Sequence, residues 1–338
     1  MKIFVTGGTG YIGSHTVVEL QKNGYDVIIA DNLVNSSLEV LDGIEKITGI
    51  RPEFEEIDLT DGEVTRDFFA RHSDIRAVIH FAALKAVGES VSKPLEYYFN
   101  NLNSLMNVLT CMREFKVPNL VFSSSCTVYG QADVLPVTEK TPRHEAESPY
   151  GNTKVMSEDI IRDLMRVEPD MRALALRYFN PIGAHPTAFI GELPNGVPNN
   201  LIPYLTQTAI GIREQLSVFG DDYNTPDGSP LRDYIDVVDL AQAHVVAIRR
   251  LLEGKNKENY EFFNIGTGKA LSVLEIIHAF ERATGVKVNY KIVGRRAGDI
   301  EKVWADTTLA NNELGWKAVT PIEETLANAW KWQRTLDK

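Results

Sequence analysis

At 338 residues, 43% hydrophobic and 24% charged, the chain has the size for one large or two modest domains and the composition of an ordinary globular protein. A net charge of -11 argues against a partner such as a nucleic-acid backbone, which demands a basic surface, yet leaves room for a small anion met by a few arginines. Cys111 and Cys126 are too few for a disulfide framework and point to a reducing compartment. The opening MKIFVTGG carries no apolar run long enough for a signal peptide or membrane span, so a cytoplasmic location is expected.

In chain order, short β-rich runs alternate with helical patterns. Strands are predicted at 2–7, 25–31, 52–58, 77–83, 119–125 and 173–179, with helices near 12–23, 37–47, 61–71, 94–115 and 149–166. That rhythm predicts a parallel sheet covered on both faces, hence a doubly wound α/β (Rossmann) unit. After Phe179 the texture changes: 180–200 is rich in Gly, Pro and Asn and reads as a long ordered loop. Strands near 216–220, 232–237, 260–266 and 288–293 follow, with helices near 238–253, 271–284 and 321–335. The expected division is a dinucleotide-binding unit at 1–179, to which segments near 238–266 return, and a smaller mixed α/β unit drawn mainly from 180–338.

The first strand runs into TGGTGYIG, where Gly7, Gly10 and Gly13 precede an apolar helix. In a strand–loop–helix context the glycines let backbone approach a pyrophosphate, whose charge the helix N-terminus stabilises. Asp31 ends the second strand, about 20 residues on, where an acid binds a ribose 2′-hydroxyl and repels a 2′-phosphate, which favours NAD over NADP. Asp58 suits an adenine-edge contact or, equally, a local turn into the next helix. Lys85 lies on the same rim and reads evenly as a ligand or as a solvated loop residue.

Ser123, Ser124, Ser125 and Thr127 cluster at the end of the fifth strand. In SPYGNTK, Ser148 and Pro149 have the character of an N-cap and first helical residue, which puts Tyr150 and Lys154 one turn apart on one face. A free phenol ionises near pH 10, too high for a base at neutral pH; a neighbouring ammonium and the positive helix end both favour the phenolate.

GxxGxxG, Asp31, the strand-end serine and Tyr-x-x-x-Lys together resemble the extended short-chain dehydrogenase/reductase superfamily. Longer strings (VTGGTGYIGSHT, FAALKAVGESVSKPLEYY, FSSSCTVYG, RYFNPIGAHP, PNNLIPY, RDYIDVVDLA and RRAGDI) are similar to the UDP-glucose 4-epimerase family across residues 5–300. The resemblance implies a phenolate that takes the proton of the sugar 4-hydroxyl while the hydride passes to tightly held NAD, leaving a transient 4-keto sugar. It makes Tyr150 the base and acid, with Lys154, Ser125 and Thr127 completing the catalytic set. For the cofactor it implies Gly7, Gly10, Tyr11, Ile12, Gly13, Asp31, Asn32, Asn35, Ser36, Asp58, Leu59, Phe81, Ala82, Lys85, Asn100, Ser125, Tyr150, Lys154 and Tyr178. For the UDP-sugar it implies Lys85, Ser125, Tyr150, Phe179, Asn180, Asn200, Leu201, Val218, Phe219, Arg232, Tyr234, Arg296, Asp299 and Val303.

Val303 stands where some members of that family carry a bulky tyrosine, so the resemblance also implies room for an N-acetyl group on sugar C2. A homodimer through the helices near 94–115 and 149–166 is implied in the same way, although their apolar positions equally suit packing on the sheet. Competing readings are a 4,6-dehydratase or UDP-glucuronate decarboxylase, and a non-catalytic dinucleotide sensor. Cys126 and Thr127 occupy positions where a dehydratase carries Asp-Glu, and a sensor has no need of the Tyr–Lys pair. No histidine spacing suggests a metal, and Cys126, Trp304, Trp316, Trp330 and Trp332 read as packing residues.

Overall fold

The structure, a computed structural model, describes residues 1–296 and 300–336. Its first half comprises β1 (Lys2–Thr6), α1 (Tyr11–Lys22), β2 (Asp26–Asp31), α2 (Glu39–Thr48), β3 (Glu53–Glu56), α3 (Gly62–Arg71), β4 (Ile75–His80), α4 (Val87–Ser92), α5 (Pro94–Glu114), β5 (Asn119–Ser125), a 3-10 turn (Cys126–Tyr129), α6 (Pro149–Val167) and β6 (Arg172–Tyr178). There follow β7 (Asn180–Ile182), α7 (Leu201–Ala209), β8 (Leu216–Phe219), β9 (Leu231–Asp236), α8 (Val237–Leu252), β10 (Tyr260–Ile265), β11 (Ala270–Ser272), α9 (Val273–Thr284), β12 (Tyr290–Val293), β13 (Lys302–Val303) and α10 (Ile322–Leu336).

Seven parallel strands form the main sheet in the order β10-β6-β5-β4-β1-β2-β3. The strands are apolar because both faces are covered. On one face Val5, Ile29, Val121 and Leu176 pack with Val17 of α1, Ile44 of α2 and Ile248 of α8. On the other, Phe4, Ile28, Leu120 and Ala175 pack with Phe68 of α3, Val108 of α5 and Ile161 of α6. The strand order reverses between β1 and β4, so a crevice opens at their C-terminal ends, where such sheets bind ligands.

The remainder builds on β9, which pairs with β11, β13 and β7, with a separate β8–β12 pair nearby. Its core joins Ile202 and Leu205 of α7, Val218, Phe280 of α9 and Leu326 of α10. The doubly wound expectation holds, with a smaller mixed unit beside it. Element ends shift by up to three residues, and the short elements α4, α7, β7, β11 and β13 were not expected. Residues 201–209 form α7, with Asn200 at the N-cap position, where no helix was expected. Helix α9 starts two residues later than expected, because Ala270–Ser272 is a strand and Ser272 with Glu275 forms a reciprocal cap. Residues 180–200 open with a strand, β7, rather than running as loop throughout.

Candidate active site

The glycine loop lies at the crevice floor. Gly7 has φ +66, and a Cβ there would lie 2.8 Å from the Ala82 nitrogen, so only glycine lets β1 turn tightly beneath the end of β4. A Cβ on Gly13 would lie 2.3 Å from the Gly7 carbonyl oxygen, so this glycine lets α1 start close against the loop. Gly10 caps α1 without a side-chain hydrogen bond, leaving the first-turn N–H groups at Tyr11, Ile12 and Gly13 directed at the crevice. This cradle has the shape and polarity that a dinucleotide pyrophosphate requires.

Asp31 ends β2 beside that loop. Its carboxylate accepts from the Thr9 N–H at 3.3 Å, the Leu33 N–H at 2.9 Å and the Ser36 hydroxyl at 3.3 Å. It thus gathers the loop of Asn32, Asn35 and Ser36 at the edge of the crevice. Asp58, ahead of Leu59, accepts from the Thr60 N–H at 2.9 Å and its hydroxyl at 2.8 Å, so the local turn is formed. Phe81 and Ala82 follow β4, and the Phe81 ring packs on His244 at 4.8 Å. Lys85 lies 5.9 Å from the Tyr11 ring centre and 3.8 Å from Glu192. Asn100 donates to Asn101 at 3.0 Å; Asn101 in turn pins the Leu84 backbone and reaches Thr153 on α6.

Above the floor, Ser148 caps α6 by accepting from the Gly151 N–H at 3.1 Å, and Pro149 follows, as the sequence pattern predicts. The Lys154 ammonium donates to the Ser123 carbonyl at 2.7 Å and lies 5.8 Å from the Tyr150 ring centre. The Ser125 hydroxyl accepts from the Thr127 N–H at 3.2 Å and also interacts with the Tyr150 phenol. The Thr127 hydroxyl is buried without a partner, an orphaned polar group suited to a ligand oxygen. The Tyr178 and Ser123 hydroxyls touch, and the Tyr178 ring packs on His244 at 5.8 Å.

The electrostatics differ from the expectation. Burial pushes the Tyr150 phenol up to about 12, with Cys126 adding to the rise and the Ser125 hydrogen bond opposing it. Burial likewise pulls the Lys154 ammonium down to about 8, against the influence of Glu158. The expected drop in the phenol therefore does not come from the protein's own groups, because desolvation outweighs an ammonium committed to a carbonyl. Burial also holds the Cys126 thiol up at about 12, which leaves it neutral beside the site.

On the opposite wall, the parallel pairing of β7 and β13 with β9 brings distant residues together. Asn180 aligns with Tyr234, and Val303 with Arg232. Arg232 donates to the Leu231 carbonyl at 2.8 Å, and its charge acts on Cys126. Val303 packs in one cluster with Phe179, Val128 and Ala305. Asn200 occupies the N-cap position of α7 ahead of Leu201 without a side-chain capping bond, and its amide donates to Glu192 at 2.6 Å. On β8, Val218 is buried and Phe219 exposed, and the Arg296 guanidinium lies 5.6 Å from the Phe219 ring centre. Asp299 lies outside the described residues.

Sequence reasoning missed Asn101, Glu192 and Asp233, each of which holds a wall of the site. Asp233 is fully buried and accepts from Thr267, Gly268 and Ala305, fixing β9 against the strand that ends in Val303. No periodic signal marks such residues. A buried carboxylate in the string RDYID was the available hint.

A doubly wound sheet with a glycine cradle, an acid at the end of its second strand and a Tyr–Lys pair across the crevice defines a dinucleotide-dependent enzyme of the short-chain dehydrogenase/reductase type. Residues 3–266 match the model of the NAD dependent epimerase/dehydratase family. A UDP-glucose 4-epimerase of Bacillus subtilis is 51% identical over 333 residues, covering 98% of this chain and 97% of that protein. The solved structure of the Stenotrophomonas maltophila UDP-glucose-4-epimerase with bound NAD and formylated UDP-arabinopyranose superposes with a TM-score of 0.96 at 47% identity, covering 100% of this chain and 99% of that one. That of the Bifidobacterium longum enzyme in complex with NAD+ and UDP gives 0.94 at 46% identity, covering 99% and 98%. The chain belongs to the NAD-dependent epimerase/dehydratase family, in the branch of the UDP-glucose 4-epimerases.

Proposed function

We propose that this enzyme interconverts UDP-galactose and UDP-glucose through a transient 4-keto sugar. The observation that carries the reading is the convergence of Tyr150, Lys154, Ser125 and the orphaned Thr127 hydroxyl on one crevice, beside a glycine cradle. The chemistry supplied by bound NAD is reversible hydride exchange at sugar C4, together with a cationic ring that favours the phenolate. Gly7, Gly10 and Gly13 admit the pyrophosphate, and Asp31 takes the adenosine ribose. Tyr150 Oη removes the proton of the sugar 4-hydroxyl and returns it. Ser125 orients the reacting oxygen, and the Lys154 ammonium offsets the negative charge of the phenolate. Arg232 and Arg296 grip the diphosphate, whose oxygens match a guanidinium fork.

The division into an NAD-binding unit at 1–179, rejoined by 238–266, and a UDP-sugar unit is part of this proposal. The pairing of β10 with β6 and the packing of α8 on the main sheet support it. A homodimer is also proposed. Leu95 is 77% exposed and Phe99 62%, and with Met106 they line one face of α5, an apolar stripe that a second copy would cover. Val303, small and next to Phe179 in its cluster, supports a further reading, that UDP-N-acetylhexosamines are substrates as well.

The test is incubation of the purified protein with UDP-galactose and no added NAD. UDP-glucose is the expected product, formed on cofactor retained from expression. A protein loaded with NAD that leaves UDP-galactose unchanged would sink the proposal.

A further inference from the structure

One turn beyond Lys154 on α6, a carboxylate lies wholly inside the protein: the Glu158 side chain is 0% exposed and that of its partner Arg177 2%. Arg177 on β6 donates through Nε to Glu158 Oε1 at 2.8 Å and through Nη2 to Oε2 at 2.5 Å, a two-pronged fork between helix and strand. The Ser124 hydroxyl on β5 donates to the same Oε1 at 2.5 Å. Arg143, in the segment leading to α6, donates to Oε2, and its other arm reaches Asp159 at 2.8 Å. From Arg177, Nη1 donates to the Tyr129 hydroxyl at 3.0 Å, and that hydroxyl donates to Asn264 on β10 at 2.6 Å. Burial alone would disfavour the charge on Glu158, but Arg177, Arg143 and Ser124 together hold its carboxyl below the usual carboxylate range.

Three members of this network, Ser124, Arg177 and Tyr129, lie within two residues of a site group in the chain. Ser124 and Arg177 are register partners, and the next pair along is Ser125 with Tyr178. Because side chains alternate across a strand, Ser124 and Arg177 face α6 and leave the residues that follow them to the crevice end. Tyr129 closes the turn that carries Thr127. Glu158, Lys154 and Tyr150 follow one another at four-residue spacing along a single face of α6. An apolar contact of equal volume would hold the helix to the sheet at least as well, since burying charges is costly. Apolar contacts, however, tolerate sliding, whereas a two-pronged hydrogen-bonded fork admits one register.

We propose that Glu158, held by Arg177 and Arg143, is a positioning residue that sets the register of α6 on β5 and β6, and so the placement of Tyr150 and Lys154 against Ser125. The inference rests on the reaction proposed above and deepens it. None of these side chains touches the glycine loop or the β9 wall among the hydrogen bonds described, so their loss should spare ligand binding.

The experiment measures kcat and KM for UDP-galactose, NAD content and melting temperature in wild type, Glu158→Gln and Arg143→Gln. Glu158→Gln keeps the shape and removes the charge. The expected result is a kcat lowered about tenfold or more with KM within about twofold, because displacing a reacting group by a fraction of an ångström to an ångström costs rate rather than binding. Arg143→Gln leaves the buried Glu158–Arg177 pair intact and should lower kcat about threefold or more at unchanged KM. A folded Glu158→Gln protein with wild-type kcat overturns the proposal, as does one whose loss lies in KM. If Glu158→Gln fails to fold, a wild-type kcat in Arg143→Gln overturns it. A wild-type protein inactive on UDP-galactose refutes the reaction and the positioning role with it, whereas an active wild type matched by Glu158→Gln refutes the positioning role alone.

Discussion

The two walls of the crevice are built in opposite ways. The dinucleotide wall is local: β1, the four-residue loop 7–10 and the start of α1 supply the cradle, and Asp31 closes it from the adjacent strand. The proposed sugar wall is assembled from fragments, with β13 two residues long and β7 and β11 three each, all paired on β9. Asn180, Arg232 and Val303 meet only because those fragments align. A function that depends on backbone shape is carried by a contiguous string. One that depends on side chains brought together from afar is spread over the chain and stabilised by buried groups such as Asp233.

The sharpest way to break the comparison is at the group where the walls face each other. Tyr150→Phe removes the proposed proton acceptor and leaves both walls intact, so kcat should fall by about a thousandfold with NAD content unchanged. Turnover within a fewfold of wild type would show that another group moves the proton.

Next in size is a stability effect at Lys154 on α6. The Lys154 ammonium is pulled by burial from its ordinary 10.5 to about 8. Below pH 8 both folded and unfolded chains hold the proton, and the folded state bears the full cost of burying the charge. Between about 8 and 10.5 the unfolded chain still binds a proton that the folded chain has shed, so this contribution to stability rises with pH. The difference is worth about 3 kcal/mol across that window. Urea unfolding of wild type and Lys154→Met at pH 7 and pH 10 should show wild type gaining on the variant by up to about that amount. An unchanged gap would mean the ammonium is not disfavoured by its surroundings.

Much of the local wall was legible in the sequence. Gly7, Gly13 and the Ser148–Pro149 cap are dictated by backbone geometry, and backbone geometry follows from neighbouring residues. What was not legible divides by physical cause. Helix α7 begins at Leu201, where the proline and asparagines before it read as loop, and its apolar face packs in one cluster with α10. The short strands of the sugar wall have no period to detect. Local chemistry also misjudged Tyr150: charge proximity was readable from four-residue spacing, whereas desolvation depends on everything packed around the phenol. For the same reason Glu158 and Arg177 were passed over, being single charged residues whose burial only the fold creates.

On the assembled wall the effects are smaller and fall on binding. Arg232→Gln should raise KM for UDP-galactose about 10- to 100-fold and move kcat much less, as expected for the loss of charge-assisted hydrogen bonds to a diphosphate. A kcat effect of equal size would place Arg232 in the chemistry instead.

Val303 gives the finest test, because it asks whether the assembled wall sets specificity as well as affinity. Its side chain is 6% exposed and clusters with Phe179, so a tyrosine there must grow into the adjoining space or displace its neighbours. Either response disturbs the fold somewhat, and comparing one substrate before and after the change would confound stability with fit. The ratio of kcat/KM for UDP-N-acetylgalactosamine to that for UDP-galactose removes the confusion, since both substrates meet the same folded fraction. Val303→Tyr should lower that ratio about tenfold or more, the scale of discrimination available to a pocket that excludes a few heavy atoms. A ratio that stays put while both rates fall would place the acetyl group elsewhere and leave Val303 as a packing residue.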